Sequence, residues 1–214
     1  MSSNTYGYIA DTGPTQAYGS NNGVFDPADI NDLIAENKWS GVGTLELIET
    51  QSVSSATADF TALQENTYDV HFFTFTDVHL TTQTELGYRL SNDSASSYET
   101  GYQFANQRGI ASGSFAERKS TGQDSARLCG DIDAAAQSLG NGYMYLYNAG
   151  NSNKYTFSTS HMVFVDNTDT PAMEFGSQVY DHAEAIQAIR FGESTTTSAI
   201  TSATISLYGI KEYS

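Results

Sequence analysis

The sequence predicts a mainly β chain, a sandwich of two antiparallel sheets preceded by an extended arm and one short helix. Three observations carry this prediction. Charged residues are only 16% of the 214, while 25 Ser, 24 Thr and 13 Asn supply the polarity, a composition suited to strands and turns rather than long helices. Hydrophobic residues reach 39%, with 14 Tyr, 11 Phe and 1 Trp, enough to fill a core. From Thr44 onward, short apolar-alternating runs are separated by Gly, Asn, Asp and Ser clusters, without a tandem repeat of a solenoid or propeller.

Residues 1 to about 25 are rich in Gly, Asn, Ser and Thr, with Tyr6, Tyr8 and Tyr18 interspersed and no helical or strand period; they read as an arm. Asp26-Pro27-Ala28-Asp29 then offers an N-cap, a proline at the first helical position and acid in the first turn, after which Ile30, Leu33 and Ile34 share one face. This predicts a helix over about 27 to 37, ended by Trp39 and the Gly41-Val42-Gly43 turn. A stripe of three apolar residues does not hold a helix alone, so it docks on the domain or on a partner. Residues 1–43 are therefore an expected anchoring segment and 44–214 an expected β-sandwich domain.

About nine or ten strands are expected. Thr44 to Gln51 and Ala56 to Leu63 come first; in the second, Ala56, Ala58, Phe60 and Ala62 alternate with polar residues. Tyr68 to Val78 is apolar on both faces, as a covered central strand would be. Leu86, Tyr88 and Leu90 alternate, and Tyr102 with Phe104 marks another short run. Gly109 to Gly142 is irregular, and within it Asp131 to Leu139 reads as a helical turn or a long loop. Tyr143 to Tyr147, Tyr155 to Val165, Met173 to Phe175, Ala185 to Phe191 and Thr204 to Lys211 complete the set, with a strong turn at Asn148-Ala149-Gly150-Asn151. Two sheets face to face are the economical way to bury so many antiparallel strands.

The formal charge of −16 repels nucleic-acid phosphates and anionic lipid, and the nine Lys and Arg are scattered, so neither nucleic acid nor membrane is an expected partner. No apolar stretch approaches the roughly 18 to 20 residues that span a bilayer, and Met1-Ser2-Ser3-Asn4-Thr5 lacks the basic and apolar parts of a signal peptide. The single Cys129 excludes an internal disulfide and a thiolate-rich zinc site, fits a reducing cytoplasm, and between Leu128 and Gly130 reads as a small packed residue.

Leu45-Glu46-Leu47-Ile48-Glu49-Thr50-Gln51, a Ser/Ala-rich strand ending in Phe60, Tyr68-Asp69-Val70 and Tyr88-Arg89-Leu90-Ser91-Asn92-Asp93 follow one another in an order that resembles a family of bacteriophage virion proteins. The later half agrees through Gly142-Tyr143-Met144-Tyr145-Leu146-Tyr147-Asn148, Asn153-Lys154-Tyr155, Glu184-Ala185-Ile186-Gln187-Ala188-Ile189-Arg190-Phe191 and the terminal Leu207-Tyr208-Gly209-Ile210, so the resemblance spans roughly 44 to 211. It implies a jelly-roll-like sandwich of the tail-fibre or capsid-decoration type, on a virion assembled in the host bacterial cytoplasm. It also implies capsid or tail proteins as partners, self-association, with trimers typical, and no cofactor or catalytic residue. Such proteins usually carry Ser-Gly and Asn in the penultimate turn; here Glu193-Ser194-Thr195-Thr196-Thr197-Ser198-Ala199 stands there, predicting a longer, more open loop.

On this resemblance the arm tyrosines, the helix stripe and Trp39 are the expected assembly residues. Tyr143, Tyr145 and Tyr147 share one strand face with Met144 and Leu146 opposite; a strand apolar on both sides is enclosed, here by a loop or a neighbouring subunit, or else forms a sugar-stacking platform. The loops 91–100, 112–125 and 192–200 are the segments a host-glycan adhesin would use. Asp131 with Asp133 and Glu46 with Glu49 are the near pairs a glycosidase reading would need. Asp166 and Asp169 are weak calcium candidates beside the reading of ordinary Asx turns. His71, His79, His161 and His182 lack metal-ligand spacing, and Gly113-Ser114-Phe115 lacks the second glycine of a nucleophile elbow.

Overall fold

The computed structural model describes residues 27–35, 45–193 and 200–211. The chain divides after Thr44 into two units, each taken by itself. In the first, the helix α1 runs Pro27–Ala35, with Ile30 half-buried and Leu33 buried. Tyr6, Tyr8, Tyr18, Trp39 and the side chain of Ile34 lie outside the described residues, as do the last two positions of the expected helix and the loop 194–199.

The second unit contains twelve described strands: β1 Leu45–Val53, β2 Ala58–Phe60, β3 Val70–Leu80, β4 Thr84–Ser91, β5 Tyr102–Ile110, β6 Phe115–Gln123, β7 Ala126–Ile132, β8 Gly140–Tyr147, β9 Tyr155–Val165, β10 Pro171–Ala183, β11 Ala188–Glu193 and β12 Ile200–Ile210. They form an eight-stranded sheet, β1-β12-β3-β8-β9-β10-β5-β6, and a four-stranded sheet, β2-β11-β4-β7. All pairings are antiparallel.

A jelly roll is written in this order. The chain doubles back like one long ribbon, placing β1 beside β12, β2 beside β11, β3 beside β8 and β4 beside β7. The ribbon is rolled so that β12 also meets β3 and β11 also meets β4. Two excursions extend it: β5 and β6 leave between β4 and β7, β9 and β10 between β8 and β11. They join through the β10–β5 ladder and double the width of one sheet.

Phe191 on β11 pins the two sheets together. Its ring lies 5.0 Å from both Phe73 and Phe75 of β3, 6.0 Å from Phe60 and 6.2 Å from Tyr88, all edge to face. Leu86, Leu90, Leu128, Met144, Leu146, Ile189, Ile205 and Leu207 fill the same core.

Three expectations need correction. Twelve strands stand where nine or ten were expected, because Gly109 to Gly142 holds two of them, and this also turns most of the proposed loop 112–125 into β6. As an end strand, β6 has no apolar face to signal it, while β7 is buried almost throughout and shows no alternation. Asp131 to Leu139 is the end of β7 followed by a turn closed by Ser138 N–H to the Ala135 carbonyl at 2.8 Å, not a helix. Finally, β10 runs far beyond Met173–Phe175, since Glu174 and Gln178 occupy its inward positions and break the expected apolar period.

Candidate functional site

Over the middle of β9, β10 and β5 the usual arrangement of a sandwich is reversed, while Met162, Phe164, Ala172, Tyr102 and Tyr180 keep apolar side chains in the core toward the strand ends. Inward positions hold Thr156, Ser158, Ser160, Glu174, Gln178, Asn106 and Arg108, all buried. Outward positions hold Tyr155, Phe157, Val163, Met173 and Phe175, all substantially exposed. A buried polar layer beneath an exposed apolar face is the informative departure from ordinary patterning.

The ladders line these outward residues into rows across the large sheet. One row reads Leu47, Tyr208, Phe72, Tyr145, Thr159, Ser177, Ala105, Lys119 from β1 to β6. The row on one side reads Leu45, Ile210, Val70, Tyr147, Phe157, Val179, Gln103. On the other side it reads Thr50, Ser206, Thr74, Tyr143, His161, Phe175, Gln107, Glu117. The aromatic rings touch in sequence: Tyr208 to Phe72 at 6.1 Å, Phe72 to Tyr145 at 4.7 Å, Tyr145 to Tyr147 at 6.2 Å, Tyr143 to His161 at 5.8 Å, and His161 to Phe175 at 6.3 Å. Beside the tyrosines the surface dips into an open groove of about 570 Å³, floored by Ala105, Thr159, Gly176 and Ser177. The carboxylate and ammonium groups in the three rows are Glu117 and Lys119, bonded to each other at 2.7 Å on the end strand.

The polar layer below holds this face in place. Tyr88 shares a hydrogen bond with Ser158 (2.8 Å), Ser158 donates to Gln178, and Gln178 donates to Ser160 (3.0 Å) and to Asn106 (3.1 Å). Asn106 donates in turn to Glu174 (2.9 Å) and to the Arg127 carbonyl (3.1 Å), and Gly130 N–H donates to the second Glu174 oxygen (3.1 Å). Arg127 pairs with Glu174 and Glu85. Arg108 pairs with Asp131 and, at 3.2 Å, with Asp166, its guanidinium 5.5 Å from the Phe164 ring centre. These bonds hold the strands in register, while Thr156 Oγ1, Arg108 Nε and Arg127 Nη2 are buried in the same layer without a hydrogen-bond partner.

The outer face of the small sheet is the opposite, charged and covered. Arg190 grips Asp59 with two bonds of 2.6 and 2.8 Å and lies 4.0 Å from the Tyr98 ring, whose hydroxyl donates to Asp59 at 2.9 Å. Burial works to raise the Asp59 carboxyl, and the Arg190 and Tyr98 bonds outweigh it, leaving it below the usual range. Arg89 holds the carbonyls of Tyr98 and Glu99. The loop 91–100 is thereby strapped to the sheet, and Asp93, bound chiefly by Ser97, sits at about 2.

Most of the other sequence-predicted residues are held by partners of their own. Asp131 has a left-handed backbone (φ 59°) and is held by Arg108 and Arg118, whereas Asp133 accepts from Ser138 at 2.8 Å, so the strand alternation that would align them is broken. The bulge between Leu47 and Glu49 sets Glu46 and Glu49 on one face of β1, opposite Gly209 and Leu207, but each is engaged separately: Glu46 accepts from Tyr68 (2.6 Å) and Lys211 (3.0 Å), and Glu49 from Gln51 (2.7 Å). Asp166 accepts from Thr168 N and Oγ1 and from Thr170 N at 2.7 to 3.1 Å besides Arg108, while Asp169 is exposed. His71 is fully buried against the Leu63 carbonyl, His79 bonds the Ala134 carbonyl, and His182 stacks on Tyr180. Cys129 is buried, which pushes its thiol up.

Among the described residues no three His, Cys, Asp or Glu side chains come together as a metal site, and no helix is long and apolar enough to cross a membrane. Tyr143, Tyr145 and Tyr147 are brought together, on the bare outer face. Sequence reasoning missed their neighbours Phe72, Tyr208 and Phe175, because only strand register shows that residues so far apart share a row. No protein-family model matches the chain, and no curated protein matches it.

Proposed function

We propose that this chain is a non-enzymatic structural protein on the surface of a tailed-phage virion, a tail component or capsid decoration protein, made in the host cytoplasm. It acts by assembly: residues 1–43 anchor it to capsid or tail proteins, and the jelly-roll sandwich is displayed. The observation that carries the assembly role is the large, nearly uncharged aromatic face, maintained over a buried polar layer in a chain of net charge −16. Aromatic enrichment with charge depletion is the composition of the buried centre of protein interfaces. The candidate acids Glu46, Glu49, Asp131 and Asp133 are each bonded to other side chains, which supports structural roles for them. The virion assignment draws on the colinear resemblance across 44 to 211, whose last motif has a physical rationale. Leu207 enters the core, Tyr208 joins the aromatic face, and Gly209 admits the Tyr68 ring, which a Cβ would meet at 2.4 Å.

A second reading, a receptor-binding adhesin, is favoured by one observation: tyrosines wall a groove that also offers Gln107 and Thr159 as hydrogen-bonding groups for a host glycan. Immunogold labelling of intact virions with an antibody against residues 45–193 tests the proposal. Label on head or tail supports it and separates decoration from fibre; unlabelled particles with an accessible epitope overturn it. Binding on a glycan array, lost in Tyr145→Ala, would favour the adhesin.

A further inference from the structure

We infer that the outer face of the eight-stranded sheet pairs with the same face of a second copy, around a two-fold axis that runs along the strands between β8 and β9. This inference rests on the assembly reading and deepens it by naming the partner.

The argument is one of shape along the rows. The central row is bulky on one half and small on the other: Leu47, Tyr208, Phe72 and Tyr145 make a ridge, and Thr159, Ser177 and Ala105 lie in the groove beside it. A two-fold axis between the halves sets each ridge in the other copy's groove. Tyr145 then lies over Thr159, Phe72 over Ser177 and Tyr208 over Ala105. In the neighbouring row the same operation places Phe175 over Thr74 and Gln107 over Ser206, and beside the axis it sets ring on ring, Tyr143 over His161 here and Tyr147 over Phe157 in the third row. A step that fits its own image is what a self-complementary, isologous contact requires.

Area and charge agree with this occupant. Eight strands spaced about 4.8 Å apart and three rows of side chains cover on the order of 700 Å², near the roughly 800 Å² per partner of a stable interface. Two chains of charge −16 repel, and this face brings them together with the carboxylate and ammonium groups of its three rows, Glu117 and Lys119, at the rim. The exposed aliphatic side chains of Leu45, Leu47, Val163 and Met173 extend the face beyond what a sugar would use.

The test is a cross-link and a mass. In one chain Phe72 and Ser177 lie three strands apart, about 14 Å, too far for an internal disulfide. In the paired face they oppose each other, at the face-to-face spacing that the inter-sheet disulfide of immunoglobulin domains bridges. The full-length Phe72→Cys/Ser177→Cys variant is expected to form a covalent dimer on oxidation, and neither single variant is. Light scattering on the native chain is expected to give twice the chain mass, and Ser177→Trp, which fills the groove without removing an apolar contact, to give a monomer with the circular-dichroism spectrum of the native fold and a melting temperature that no longer depends on protein concentration. A monomeric or trimeric native chain, or single variants that cross-link as readily as the double, overturns the inference. So does a monomer whose glycan binding is lost in Tyr145→Ala, which assigns the face to sugar. Virion labelling by a monomeric chain would leave the proposed function standing, and a dimer absent from virions would leave this inference standing.

Discussion

Glu174 on β10 faces Arg127 on β7 across 3.3 Å, with 0% and 7% of their side chains exposed. The pair ties the widened part of the large sheet to the edge of the small one, where an ordinary sandwich would place aliphatic residues. It therefore stabilises the platform on which the aromatic rows stand.

Glu174→Gln is expected to destabilise the fold by about 3 to 5 kcal/mol, because a buried guanidinium loses one of its two carboxylates. Glu174→Leu combined with Arg127→Met is expected to recover only part of that loss, since it removes both charges of the pair but takes Arg127 from Glu85 and the acceptor from the buried Asn106 and Gly130 donors. Urea unfolding of the three chains checks both statements.

Phe191→Ala removes the ring that meets four others between the sheets, and is expected to cost about 3 to 5 kcal/mol. Phe115→Ala, at a residue 64% exposed, is expected to change stability by less than about 0.5 kcal/mol. Equal losses in the two variants would contradict the core assigned to Phe191.

Gly209 has no room for a side chain beneath Tyr68, whose hydroxyl is fixed to Glu46 at 2.6 Å. Gly209→Ala is expected to lower stability by about 1 to 3 kcal/mol. In a Tyr68→Ala background the same substitution is expected to add little, and a double-mutant cycle measures that coupling.

Burial depresses the His71 imidazole below its ordinary 6.5, while Nε2–H donates to the Leu63 carbonyl at 2.7 Å. The unfolded chain takes up a proton near 6.5 and the folded chain does not until lower pH. The stabilisation is thus complete above about pH 6.5 and is lost as pH falls toward the folded value, at up to about 1.4 kcal/mol per unit. Melting curves between pH 7.5 and 5 are expected to show this slope in the native chain and not in His71→Gln, which keeps the donor without the titration.

Asp166 spends its oxygens on Thr168, Thr170 and Arg108. Asp166→Ala is expected to destabilise by about 2 to 4 kcal/mol through the buried arginine, and Asp169→Ala by little. Neither calcium nor a chelator is expected to move the native melting temperature, and a shift with calcium would revive the ligand reading.

The sandwich was legible because strands such as Leu86-Gly87-Tyr88-Arg89-Leu90 and Tyr143 to Tyr147 carry an alternating period that burial follows. The widened half was not, because its inner layer is polar: Ser158, Ser160, Glu174 and Gln178 look like surface residues until hydrogen bonds across four strands are seen. The tyrosines of β8 were recognisable as a shared face, but Phe72, Phe175 and Tyr208 join them only through register. The acid pairs failed for local reasons: the left-handed Asp131 breaks the two-residue repeat on which its pairing with Asp133 depended, and Glu46 and Glu49, though the β1 bulge sets them on one face, are each bonded to other side chains.

The two end strands of the large sheet differ from its middle. Among the described residues β1 is bulged after Leu47, and β6 carries Glu117, Arg118 and Lys119 in succession. Both features discourage another strand from adding alongside. Copies of this protein are thereby steered away from continuous cross-β fibrils, and a chain rich in exposed aromatic residues can be concentrated without polymerising edge to edge.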